Sequence, residues 1–154
     1  MRKGLLGAGL VMALAGGATL YAAAASPMAG LAGSYARTWQ SGDMGGGKFD
    51  VTDEVTIEPI DARHARITFG LNFFNGHTCD LEGTAELKGN KLVFTDPDGW
   101  DGKVCRLEIW RQGKDLRWTD RDNGCHSYCG MRGNLTGGRM ALKYRQPLPQ
   151  PHKD

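Results

Sequence analysis

Residues 49–57 read FDVTDEVTI. Phe49, Val51, Val55 and Ile57 fall on odd positions, with Asp50, Thr52, Glu54 and Thr56 between them. A strand turns successive side chains to opposite faces, so this alternation predicts a half-buried β-strand. The same period recurs along the chain. ARITFGLNF (65–73) carries Ala65, Ile67, Phe69, Leu71 and Phe73 on one face. CDLEGTAEL (79–87) does so with Cys79, Leu81, Ala85 and Leu87. CRLEI (105–109) aligns Cys105, Leu107 and Ile109, and MALKY (140–144) aligns Met140, Leu142 and Tyr144. No segment of useful length after residue 25 has helical periodicity.

Between these runs stand turn signals rich in Gly, Asn, Asp and Pro: EPIDAR, NGH, KGNK, DPDGWDGK, RQGKD and LTGG. The chain therefore predicts an all-β fold, a meander of seven or eight short antiparallel strands, opening with a strand in GLAGSYARTW (30–39). Open edges are a liability, so a small barrel or a sandwich is expected. Large residues at inward positions, Phe49, Phe69 and Phe73, predict a filled interior.

The first 25 residues read differently. Arg2 and Lys3 precede an apolar run that ends in Ala23, Ala24 and Ala25, the layout of a secretory signal peptide. The expected organisation is a signal peptide over 1–25, a single β-barrel domain over 26–145 and a Pro-rich tail over 146–154. A periplasmic or secreted location follows from this reading, with no stable membrane span after cleavage. In such a compartment Cys79, Cys105, Cys125 and Cys129 predict two disulfides, and four cysteines allow three connectivities. The meander narrows the choice. Cys79 and Cys105 begin strands that run the same way with one strand between them, too far apart to bridge. The loop holding Cys125 and Cys129 follows LRWT (116–119), which ends on that same side. Cys105–Cys125 with Cys79–Cys129 is the preferred pairing. Gly130 is expected to allow a sharp turn after the second of these loop cysteines.

Charge argues against one class of partner. The chain has 19 basic and 17 acidic side chains, and without Arg2 and Lys3 the numbers are equal. A neutral chain does not point to nucleic acid. Residues 43–101 hold 12 acidic and 5 basic residues, whereas 103–145 hold 10 basic and 4 acidic. Such asymmetry suits either pairing within one domain or a basic face that meets an acidic partner.

The chemical motifs are weak. GDMGGGKF (42–49) has Phe49 where a phosphate-binding loop needs Ser or Thr, and a strand follows where a helix should. DPDGWDG (96–102) lacks the ligand spacing of a calcium loop. Disulfides remove the cysteines as zinc ligands or nucleophiles. Ser127 beside His126 lacks a nucleophile elbow. No enzyme activity, metal or cofactor is expected. The candidate residues for partner binding are His126, Tyr128, Arg121, Arg132 and His77, with Trp100 near them, all at the cysteine end.

NGHTCDLEGTAEL, then CRLEI, then CHSYCGMRGNLTG resembles small bacterial exported domains with H-x-C-x-x-x-G, a mid-chain cysteine strand and C-x-x-x-C-G. Such domains occur alone or beside LprI-like lysozyme-inhibitor modules. The likeness spans about residues 48–145 and carries no catalytic residues. It implies a cell-envelope binding protein, with inhibition of, or immunity to, a lysozyme-like cell-wall hydrolase as the sharper expectation. In such a role a loop with Tyr, His or Arg enters an acidic cleft. A second expectation is a lipocalin-like carrier of a small apolar ligand, which GSYARTW resembles at its start, with Tyr35 where Trp is usual. A structural envelope protein without a discrete ligand is the third.

Overall fold

A computed structural model describes residues 26–148. Residues 1–25, where a signal peptide is expected, and residues 149–154 of the tail lie outside that range. The fold is all-β: nine antiparallel strands form one nearly closed, barrel-like sheet, with the order β8-β7-β6-β5-β4-β3-β2-β1-β9. The strands are β1 (Gly33–Gly42), β2 (Lys48–Pro59), β3 (His64–Asn72), β4 (Thr78–Lys88), β5 (Lys91–Asp96), β6 (Cys105–Gln112), β7 (Asp115–Asp120), β8 (Gly138–Ala141) and β9 (Arg145–Gln146).

The expected first strand begins three residues late, because a short helix, α1 (Pro27–Leu31), precedes it. Ser26 caps it by accepting from the Met28 N–H, and Pro27 supplies a pre-set first turn. Met28 and Leu31 are buried, and the Tyr35 hydroxyl donates to the Leu31 carbonyl at 2.7 Å. α1 thus enters the core at the end of the sheet opposite the cysteines.

Period two translates into burial for most of the barrel. Val55, Ile57, Ala65, Ile67, Phe69, Leu81, Leu92, Leu107, Ile109 and Leu116 are all buried in one core. Two expectations fail locally. Phe49 is 38% exposed rather than inward. The β2–β3 ladder spans only Glu54 to Pro59, Asn72 at the end of β3 still bonds Thr52 and Asp53, and residues 48–51 pair with β1 alone. This part of the β1–β2 hairpin extends past the β2–β3 ladder and is braced by the turn after β3, where the Met44 N–H donates to the Asn75 side-chain oxygen, while Phe49 stays outside the core. Phe73 is half-buried and packs against the core edge.

MALKY does not continue as a strand either. The ladder stops at Ala141, Leu142–Tyr144 forms a 3-10 turn, and the Leu142 N–H bonds the Lys114 carbonyl. The chain then crosses to the other edge of the sheet, where Arg145 and Gln146 pair with Tyr35 and Ser34. One continuous segment therefore touches both edges. Closure is partial. Beyond Tyr35, β1 has a ladder only on its β2 side, and β8 pairs only with β7 among the described residues. A slit remains between β1 and β8.

Both disulfides have the preferred pairing: Cys79–Cys129 and Cys105–Cys125. The four cysteines lie together at one end, as the strand directions require.

Candidate functional site

The cysteine end has two unlike halves. In the first, the turn at Gly124–Tyr128 is tied to β6 through Cys125, and Cys129 just past it is tied to β4. The Cys125 N–H donates to the buried Asp120 carboxylate at 2.8 Å. Gly124 lies so close to the chain at Val104 that a Cβ there would stand 2.2 Å from the Val104 carbonyl oxygen. The left-handed residue in this loop is Asn123, with φ 55°, and not Gly130. Gly130 instead lies beside His77, and its N–H bonds the Thr78 carbonyl.

The residues expected to bind a partner all sit in this half, and several already have intramolecular tasks. Tyr128 is half-buried, edge-on to Phe94, and donates its hydroxyl to Asp96 at 2.6 Å. That bond, with burial and the Asp96 charge adding to it, pushes the phenol up to about 12. The same bond and the Asp98 N–H hold the Asp96 carboxyl below its ordinary value. His126 meets the Trp100 ring edge-on at 5.1 Å, and its Nδ1 is buried without a partner among the described residues. Arg121 is 72% exposed and only grazes Glu108, at 3.9 Å. Arg132 is exposed. The structure brings His126 to Trp100 and His77 to Gly130.

The other half of this end holds a cavity of about 330 Å³. It opens beside the slit, at the base of the β1–β2 hairpin. β1 and β2 supply Arg37, Trp39 and Asp53. The end of β3 adds Leu71 and Asn72, and the turn after it adds Phe73 and Phe74. Trp118 of β7 and the segment from Asn134 to Arg139 form the far wall. None of the partner-binding candidates lines it. A second cavity on the slit, of about 310 Å³, shares Arg37 and Arg139 with the first.

Inside the barrel, these positions replace aliphatic side chains with charge and indole. Arg37 and Asp53 are directly opposed across β1 and β2. Asp53 is only 4% exposed. Its Oδ2 accepts from Arg37 Nη2 at 2.6 Å and from Trp39 Nε1 at 3.0 Å, and its Oδ1 accepts from the Asn72 N–H at 2.9 Å. The carboxylate is thus well supplied with donors. The surplus lies on the donor side. Arg37 Nε and Trp118 Nε1 are buried and find no acceptor among the described residues. Each such orphan donor costs about 1–3 kcal/mol. Trp118 is held in place by edge contact with Phe69 at 5.3 Å and by Gly138, its cross-strand neighbour. A Cβ on Gly138 would stand 2.0 Å from the Trp118 ring nitrogen, so the indole fits only because this residue is glycine.

This cavity was not among the sites expected from sequence, although two signals for it exist. Asp53 occupies an inward position between Val51 and Val55, and Arg37 sits between Tyr35 and Trp39 on the inward face of β1. Buried charges are rare unless paired, so two of them on inward registers mark a special place.

Among the described residues, no three His, Cys, Asp or Glu side chains converge as a metal site. No helix among them is long and apolar enough to cross a membrane. Comparison with known proteins adds no relative: no family model, no curated protein and no solved structure matches this chain.

Proposed function

We propose that this chain is an exported, non-enzymatic binding protein whose binding element is the cavity between the β1–β2 hairpin and β7–β8. The observation that carries this reading is the pair of unpartnered buried donors, Arg37 Nε and Trp118 Nε1, on residues that line an aromatic-walled cavity. Pockets of this kind, apolar walls with a few convergent polar groups, are where small molecules bind. Asp53, with its acceptors already engaged, fits a role in fixing Arg37 and Trp39 rather than in moving protons. Export is supported by the basic-then-apolar start of the chain and by the two disulfides, which persist in oxidising compartments. The cavity modifies the carrier expectation: the ligand has a polar end as well as an apolar body. A thermal-shift screen of small acids, amides, amines and alcohols against the disulfide-bonded protein tests it. Hits are expected whose effect disappears in Asn134→Trp, which fills the cavity from its exposed rim. A screen without hits, or hits that survive this change, would reject the reading.

The hydrolase-inhibitor reading has a separate observation in its favour. Trp100 is 50% and Met131 83% exposed on loops tied by the disulfides, with Arg121 and Arg132 nearby in the chain. Exposed aromatic and arginine side chains on rigid loops suit a protein interface. If a panel of lysozymes and other peptidoglycan hydrolases neither binds the purified protein nor loses activity, this second reading falls.

A further inference from the structure

We infer that the cavity selects a small organic anion, a carboxylate or phosphate head on a flat apolar body. The inference rests on the cavity being the binding element, and it follows from an inventory of what the lining still lacks. The lining holds two guanidinium groups, Arg37 and Arg139, against one carboxylate, Asp53. Asp53 already accepts three hydrogen bonds, so a cationic or donor-rich ligand finds little free acceptor capacity there. Arg37 uses one nitrogen, Nη2, on Asp53 and leaves Nε without an acceptor. Arg139 has no ion pair among the described residues. Trp118, only 4% exposed, keeps an unpaired N–H. Each buried side-chain atom of the lining without a partner is therefore a donor, and two of the side chains bearing donors, Arg37 and Arg139, are cationic. Arg139, exposed at the rim, meets an acceptor directly, whereas Arg37 Nε and the Trp118 N–H are closed to solvent and reach one when the side chains around them shift; an anionic acceptor is favoured by charge as well as by hydrogen bonding.

The walls set the other half of the ligand. Trp39, Phe73, Phe74 and Leu71 present rings and an aliphatic side chain to the cavity. Flat apolar bodies suit such walls, through ring stacking and area removed from water. The slit gives access. Arg37 and Arg139 line both cavities along it, and the second adds Lys143 against Asp115, so an anion arriving along the slit meets an excess of positive charge.

Four compounds with one phenyl body separate the possibilities: phenylacetate, phenylacetamide, phenethylamine and phenyl phosphate. Binding to the disulfide-bonded protein is measured by calorimetry at low salt. Phenylacetate or phenyl phosphate is expected to bind at least tenfold more tightly than the amide and the amine. The better of the two identifies the head group. Arg139→Gln, a change at an exposed position, is expected to weaken the anion several-fold and leave the amide unchanged. Trp118→Phe is expected to weaken the anion by about tenfold, the loss of one hydrogen bond to a charged acceptor. A melting curve checks that this second variant is folded. If acid, amide and amine bind equally, or the amine binds best, the anion inference is overturned while the cavity remains the binding element. If none of the four binds at millimolar concentration, both fall.

Discussion

The two halves of the cysteine end are built on opposite plans. On the β4–β7 side, two disulfides, a buried Asp120 bond and glycine-tight backbone contacts leave the loops fixed. On the β1–β3 and β8 side, two strands that pair on one side only, β1 beyond Tyr35 and β8, flank a cavity with charge and unpaired donors on the residues that line it. The difference separates stability from function. Unpartnered buried donors and an incompletely closed sheet are both destabilising. The covalent half offsets them, by restricting the unfolded chain rather than by filling the barrel.

The largest expected effect breaks the fixed half. Cys79–Cys129 closes a span of 50 residues and Cys105–Cys125 a span of 20. Chain entropy then assigns about 4 kcal/mol to the first and about 3 kcal/mol to the second. Urea titrations of the two paired Cys→Ser variants should rank in that order. A reversed order would show that local packing around Cys125, and not the length of the closed loop, dominates.

Next comes the open half. Asp53→Ala strands Arg37 and the Trp39 indole, and it should lower stability by about 3 kcal/mol, the low end for a buried pair because Arg37 is partly exposed. A loss below about 0.5 kcal/mol would mean that water replaces the carboxylate freely, so that the pair is a surface bridge. Gly138→Ala should be smaller, about 1–3 kcal/mol of overpacking against Trp118. Its signature is a shifted tryptophan emission. An unchanged spectrum would contradict the tight indole seat.

The smallest effect sharpens the contrast by pH. Asp96 is held below its ordinary value by Tyr128, so this contribution to stability is present above the unfolded carboxylate's titration and is lost as pH falls through the lowered folded value. Tyr128 is raised, so its share is complete below the ordinary phenol value and is lost as pH rises through about 12. Tyr128→Phe should move the Asp96 carboxyl resonance titration upward and flatten the acid limb of stability. An Asp96 titration that stays put would assign its lowering to the Asp98 N–H instead.

Much of the fixed half was legible in the sequence. Alternation placed the strands, strand direction gathered the cysteines at one end, and the spacing rule for bridged backbones left the observed pairing as the preferred one. Period two reports which face a side chain takes, but not whether a neighbouring strand extends far enough to cover it. Phe49 was therefore assigned to the interior, while β3 stops short of it. Likewise MALKY has strand spacing, yet the chain must turn there to reach β1. The cavity was harder still. Arg37 and Asp53 each break an apolar stripe, and only the cross-strand register reveals that the two breaks face one another. His126 and Tyr128 lie on the disulfide-tied loop that strand direction predicts, but their contacts with Trp100 and Asp96 depend on loop geometry that spacing does not encode.

The central claim is that the open half, and not the fixed half, binds the ligand. The four tryptophans report on it directly, because their indole N–H resonances can be followed separately while phenylacetate is added. Trp39 and Trp118 line the cavity, whereas Trp100 sits on the disulfide-tied side. Saturable shifts of the Trp39 and Trp118 signals, with Trp100 unmoved, are the predicted result. Shifts confined to Trp100, or none at all, would contradict the account.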